Sequence, residues 1–190
     1  FQVSVRRQND CMVSGGYILV GDSAWMPKPI DAGGIGPALI AGTILGKNVV
    51  DAIEANDVTE KGLWQYHLDF IKEYGYKTAG LELFRRLVQT LTNEQISYGM
   101  KHFLGNVDVE AISKGEHPDF SGLSKLGMII RGAMNKTVAN GLKYTSQQNQ
   151  WLVDHYENYP KEPDGFEEWE KSLHKTLDES FAKIATFSKN

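Results

Sequence analysis

Cysteine is nearly absent from this chain: Cys11 stands alone among 190 residues. No intramolecular disulfide can form, which excludes a stapled secreted scaffold and fits a reducing cytoplasm. Long apolar runs are missing too. None approaches the ~18–20 residues that a membrane-crossing helix needs, and no signal-peptide pattern is visible in these residues. Positive charge is not in excess, since the formal net charge is −4. Nucleic acid is therefore a poor partner, because phosphate backbones call for a basic field. The histidines His67, His102, His117, His155 and His174 are scattered without zinc-type spacing, so no metal is expected. No Ser-His-Asp, paired-carboxylate or Walker-type pattern occurs, and no catalytic residue can be named from the sequence.

What is present is an ordinary globular composition, with 41% hydrophobic and 23% charged residues. The chain opens on Phe1 rather than Met and goes straight into alternation, with Phe1, Val3 and Val5 against Gln2, Ser4 and Arg6. That start predicts the C-terminal portion of a longer protein; a trimmed but complete protein is the alternative. The first twenty residues read as two strands separated by Asn9-Asp10, with Gly15-Gly16 as a second turn.

From Gly33 onward nearly everything reads helical. Residues 36–55 form a helix rich in Ala, Gly, Ile and Leu on several sides, expected to be buried against a sheet. Asp57-Val58-Thr59-Glu60 resembles a cap. Leu63, His67, Phe70, Ile71 and Tyr74 follow at helical spacing, with Gly75 and Gly80 expected to weaken or interrupt the helix. Leu83, Phe84, Leu87, Val88 and Leu91 form the next stripe. Thr92 and Gln95 make a capping box ahead of Ile96, Met100, Phe103 and Leu104.

Residues 105–122 read as irregular, and Leu126, Ile129, Ile130, Ala133 and Met134 mark another helix. A long helix is expected over 136–156, although Gly141 argues against it. A last one opens at a cap-like Asp164-Gly165-Phe166-Glu167. Trp151, Tyr156, Tyr159 and Trp169 read more readily as helix packing than as a membrane-facing or lipid-tunnel surface. Cys11 reads as a small buried hydrophobe.

Chemistry concentrates in residues 15–53. A short strand, Tyr17-Ile18-Leu19-Val20, runs into Gly21-Asp22. A Pro-rich loop follows, then Gly33, Gly34 and Gly36 open a small-residue helix. A helix N-terminus offers unpaired amides and partial positive charge, and glycines clear the approach of a ligand. Asp22 can accept hydrogen bonds from ligand hydroxyls at a strand's C-terminal end. Taken alone, the glycines read equally well as a tight turn with Asp22 as a cap. Trp25 and Met26 either pack in the core or shape an apolar substrate cavity.

The whole string is more specific. Gly21-Asp22-Ser23-Ala24, Pro29 and Ala32-Gly33-Gly34-Ile35 resemble the second FAD motif of geranylgeranyl reductases, which belong to the aromatic-hydroxylase-like flavoproteins. The spacing from Asp22 to Pro29 and on to Gly34-Ile35 matches, and Lys28-Pro29 resembles the archaeal lipid-reductase branch and its FixC-like relatives. Ser23 replaces a common Ala, and Ala32 stands where Gly is usual. The likeness is strongest over residues 1–75.

The resemblance implies a mainly helical chain with a small N-terminal β portion. Residues 1–56 would complete a Rossmann-like FAD-binding domain and 57–190 would form a helical C-terminal domain. It implies an FAD-dependent oxidoreductase that reduces isoprenoid C=C bonds of geranylgeranyl lipid precursors, with ferredoxin or NAD(P)H as electron donor. The location implied is cytoplasmic, with peripheral membrane contact as an option. In the family, the motif aspartate binds the ribityl chain, and the proline and glycine turn frame the isoalloxazine ring. This assigns cofactor contacts to Gly21, Asp22, Pro29, Ala32, Gly33, Gly34 and Ile35. The family's first motif, Gly-x-Gly-x-x-Gly after a strand, does not occur here, so the isolated chain is expected to bind FAD weakly and to be inactive. The alternatives are a FixC-like electron-transfer flavoprotein-quinone oxidoreductase, a flavin monooxygenase or halogenase, and a non-catalytic helical interaction domain.

Overall fold

The computed structural model describes residues 3–102, 110 and 135–189. The sequence readings for Phe103, Leu104, the irregular 105–122 stretch and the helix at Leu126–Met134 lie outside the described residues.

The β portion is a single hairpin, β1 (Val13–Ser14) and β2 (Tyr17–Ile18), pairing Val13 with Ile18 and Ser14 with Tyr17. Gly16 turns it at φ 70°, and its N–H donates to Val58 O at 2.7 Å. Residues 3–6 of the alternating segment are not a strand. The polar groups of residues 7–10, which follow it, pair with other parts of the chain instead of a neighbouring strand. The Arg7 N–H donates to Glu82 Oε2 at 3.2 Å, the Gln8 amide donates to Gly75 O at 3.1 Å, and Asp10 O accepts from the Tyr159 hydroxyl at 2.9 Å.

Helix α1 (Ile35–Glu54) follows the loop. It is buried along one face only, at Pro37, Ala41, Asn48 and Ala52, and not on several sides. Ile35 is 82% exposed and Leu39 68%, because within these residues only one side of the helix meets other elements. Thr59 caps α2 (Glu60–Leu63), accepting from Gly62 N. Helix α3 (Gln65–Phe70) runs through a π turn (Ile71–Gly75) into α4 (Tyr76–Thr90). Gly75 and Gly80 therefore do not interrupt the helix. Gly75 sits where the Gln8 amide needs the space, since a Cβ there would lie 2.9 Å from Gln8 Nε2.

The Thr92–Gln95 capping box is formed, with the Thr92 N–H donating to Gln95 Oε1 at 2.9 Å ahead of α5 (Asn93–His102). Helix α6 (Lys136–Glu157) is unbroken at Gly141, where a Cβ would lie 2.5 Å from buried Leu87. The glycine lets α4 and α6 pack closely. The last helix, α7 (Phe166–Ala185), has no side-chain cap; a 3₁₀ turn (Pro163–Gly165) leads into it instead of an Asp164 cap.

One core joins Met12, Ala24 and Met26 to the helices. Trp64, Tyr159 and Trp169 are buried in it and, with half-buried Phe166, make stacked and edge-on ring contacts, so Tyr156, Tyr159 and Trp169 are packing residues. No helix among the described residues is long and apolar enough to cross a membrane.

His67 is wholly buried beside this aromatic group, and its Nε2 accepts the Met12 N–H at 3.0 Å. Burial holds its pKa down to about 3. The unfolded chain then binds a proton that the folded one refuses. This contribution to stability is complete above pH ~6.5 and is lost as pH falls toward 3, at up to about 1.4 kcal/mol per unit. Urea unfolding at pH 7 and pH 5 should show a loss of about 2 kcal/mol from this group, and His67→Gln should shrink that loss.

Candidate functional site

The site is built where the hairpin hands the chain to α1. After Val20, residues Gly21–Ala24 form a 3₁₀ turn. Gly21 has φ 68°, a region that side chains disfavour. Its N–H meets the sulfur of fully buried Met26 at 3.1 Å, and the Met26 N–H donates back to Gly21 O at 3.2 Å. The turn is thus pinned to the core, and Asp22 projects from it, exposed.

The loop then closes on itself. The Ala32 N–H donates to Lys28 O at 2.9 Å, the Lys28 N–H to Gly33 O at 3.2 Å, and the Gly33 N–H to Asp31 Oδ1 at 2.9 Å. A Lys28–Asp31 ion pair at 2.8 Å braces it across the outside. Gly33 leaves room for the Lys28 stem, since a Cβ there would lie 2.9 Å from Lys28 Cε. Pro29 lies within this loop, and its neighbour Ile30 reaches inward.

The structure brings Asp22 to the tip of α1. A Cβ at Gly34 would lie 3.3 Å from Asp22 Oδ1 and 3.2 Å from Pro27 Cγ, so the carboxylate sits close against the helix end and a side chain there would crowd it. Gly34 caps α1 with backbone alone; no side chain bonds the first-turn amides. The first-turn N–H groups of Ile35 and Gly36 have no intrahelical acceptor, and a Cβ at Gly36 would meet nothing within 4 Å. Pro37 carries no N–H, which leaves the open donors concentrated at the tip. Gly21, Asp22, Ala32, Gly33, Gly34 and Ile35 are exposed or half-buried near that tip, whereas Pro29 is buried in the loop.

An anionic or carbonyl-rich ring edge suits this arrangement. The helix end favours negative charge, the glycines admit close approach, and the adjacent carboxylate accepts from hydroxyls.

On the other side of the loop, Ile30 helps wall an apolar cavity of about 260 Å³ with Phe84, Leu87, Val88, Leu91 and Leu142. The loop therefore has the polar helix tip on one side and an apolar hollow on the other. Sequence reading missed Ile30 and the Lys28–Asp31 brace. An apolar residue inside a Pro/Gly loop and an i,i+3 charge pair are the signals that pointed to them. Trp25 stays out of the cavity and lies beneath Arg6, whose guanidinium carbon is 4.1 Å from the ring centroid. Cys11 is half-buried, and burial pushes its thiol pKa up, which lowers its thiolate fraction.

No family model matches the chain. The digeranylgeranylglycerophospholipid reductase of Sulfolobus acidocaldarius is 32% identical over 179 residues, covering 93% of this chain and 39% of that protein. The chain belongs to the geranylgeranyl reductase family. Digeranylgeranylglycerophospholipid reductase 2 of Methanopyrus kandleri is 28% identical over 101 residues, 53% of this chain and 25% of that protein. The digeranylgeranylglycerophospholipid reductase of Methanocella arvoryzae is 29% identical over 100 residues, again 53% of this chain and 25% of its own length. The chain thus spans about two-fifths of the Sulfolobus relative's length and less of the other two.

Ala32, the departure from the family motif, has φ 58°. An L-residue pays roughly 1–2 kcal/mol in that region, and glycine avoids the cost while losing some chain entropy. Ala32→Gly should therefore raise stability by about 0.5–1 kcal/mol in chemical denaturation.

Proposed function

We propose that this chain is the C-terminal portion of an FAD-dependent reductase acting on isoprenoid C=C bonds of geranylgeranyl lipid precursors. Membership of the geranylgeranyl reductase family carries the reading, and the helix tip with Asp22 beside it supports the cofactor part. Residues 1–56 would complete an FAD-binding domain, and 57–190 would supply the helical domain. The exposed apolar side of α1 fits this division. Ile35, Leu39, Val50 and Ile53 lie along it, and a Cβ at Gly42 or Gly46 would meet nothing within 4 Å. That side is where the remainder of such a domain would pack.

The residues fit a flavin. Asp22 would accept from a ribityl hydroxyl. The Ile35 and Gly36 amides would donate to the pyrimidine edge, where the positive end of α1 favours the negative charge of the reduced ring. Residues 29–34 would frame the ring and keep side chains away from it, with Pro29 and the strained Ala32 fixing the backbone path. The bound flavin supplies the hydride that saturates a double bond. Ile30 would guide an isoprenoid chain along the apolar cavity and exclude water from it. Electrons would come from ferredoxin or NAD(P)H, and the lipid precursor would be met in the cytoplasm or at a membrane surface.

The coding sequence upstream of Phe1 provides the test. The expected content is a strand followed by Gly-x-Gly-x-x-Gly, and the longer protein should purify yellow with bound FAD. In it, Asp22→Ala should weaken FAD binding about 10- to 100-fold by fluorescence titration, the loss of one charge-assisted hydrogen bond. The isolated 190 residues should not bind FAD at sub-micromolar concentration. A longer protein that purifies colourless and takes up no FAD would contradict the reading.

A further inference from the structure

The apolar cavity behind Ile30 has walls of unequal firmness. Phe84 and Leu87 of α4 and Val138 and Leu142 of α6 are buried. These two helices are tightly packed, with Gly141 set against Leu87. Helix α5 adds Ile96, Gly99 and Met100 to the wall, yet none of its residues is buried. Met100 is 50% exposed. A helix that buries so little is the part of the enclosure that opens at least cost.

The joints of α5 allow that movement. Leu91 ends α4 in extended backbone, at φ −86° and ψ 150°, and is itself part of the cavity wall. A residue at the end of an element is where a hinge absorbs a change of direction. The capping box joins Thr92 to Gln95, and the Ile96 N–H donates to Thr92 O at 2.8 Å. Those bonds lie within residues 92–96, so they travel with the helix instead of tying it to a neighbour. Contact with α6 is light. A Cβ added at Gly99 would lie 3.6 Å from Val138 Cγ1, ordinary van der Waals distance, so the glycine itself leaves a seam there. The unbranched Met100 side chain adapts to either position of the helix. Inside, the cavity of about 260 Å³ is lined by apolar residues. Such a hollow stays dry, and its walls lack contacts that a hydrocarbon would supply.

We infer that α5 is a lid on this cavity, hinged at Leu91-Thr92 and closing along the Gly99–Val138 seam, and that a hydrocarbon chain enters by displacing it. The lid rests on the reading that the cavity takes an isoprenoid chain, and adds how that chain gets in. A lipid precursor carries a polar end, which apolar walls disfavour. An opening along the side admits the chain while the polar end stays in water. Reclosing of α5 over the chain then restores its contacts and keeps water out.

Gly99→Cys combined with Val138→Cys sets a disulfide across the seam and locks the lid. The probe is N-phenyl-1-naphthylamine, a neutral apolar dye that brightens out of water. It is neither flavin nor isoprenoid, so a failed lid and a failed reductase reading give separate results. In stopped-flow mixing, the oxidised variant should take up the dye about tenfold more slowly than the reduced one, and dithiothreitol should restore the rate. Both forms share the exposed side of α1, so dye bound there cancels in the comparison. Circular dichroism checks folding, and peptide mapping checks the bridge. Should the pair not fold or not bridge, amide hydrogen exchange of the unaltered chain carries the test. The amides of α5 should exchange about tenfold faster than those of α4 and α6, and slow by a similar factor with the dye bound. The lid is overturned if the oxidised form takes up dye as fast as the reduced form, if neither form takes it up, or if α5 without dye is as protected as α4 and α6.

Discussion

The Arg7 guanidinium, 5% exposed and wedged between Asp10 and Glu82, is the contact on which the arrangement of this chain depends. It locks an arm with no regular secondary structure against α4. The same arm is tied to the α6–α7 connection through the Tyr159 hydroxyl, which donates to Asp10 O, and to the Gly21–Ala24 turn through the Asn9 N–H, which donates to Ala24 O at 3.0 Å. Desolvation offsets much of the Coulomb gain of such a pair, so its contribution to net stability is small. Its effect is on placement. An unpaired buried Arg7, Asp10 or Glu82 is so unfavourable that alternative paths for the arm are excluded.

From that anchor the site follows in short steps. The arm fixes Ala24, the Gly21–Met26 exchange fixes the 3₁₀ turn, and the turn aims Asp22 at the tip of α1. The loop between them is closed by its own backbone and by Lys28–Asp31, so its geometry does not wait for a ligand. Uncapped amides at Ile35 and Gly36 are the cost of keeping that tip open. Pre-organised donors of this kind stabilise charge without reorganising around it.

The helical fold was legible because its signals are local. Thr59 and Thr92 capped as their spacing implied, and the stripe of α4 fell on the core. The failures share a cause, which is tertiary contact that no local pattern encodes. Alternation in the first six residues suggested a strand, but residues 3–6 form none, and just after them the helix side chains of Glu82 and Thr78 hold the polar groups of Arg7 and Gln8. Gly75 and Gly141 looked like breaks and instead make room for Gln8 and Leu87. At the site, the motif placed Asp22, Gly34 and Ile35 together, and Ala32 adopted the positive φ that its glycine counterpart suggested. The apolar cavity behind Ile30 was invisible, because its walls come from α4, α5 and α6, all distant in sequence.

The central claim is that the tip of α1 and the carboxylate beside it face a flavin ring. The most direct measurement is a ¹H–¹⁵N NMR titration of the chain with riboflavin, which carries the ring and ribityl chain and no adenine half. The account predicts that the amide signals of Asp22, Gly34, Ile35 and Gly36 move together, while those of the α6–α7 core stay in place. Shifts confined to other regions, or none at millimolar riboflavin, would contradict it.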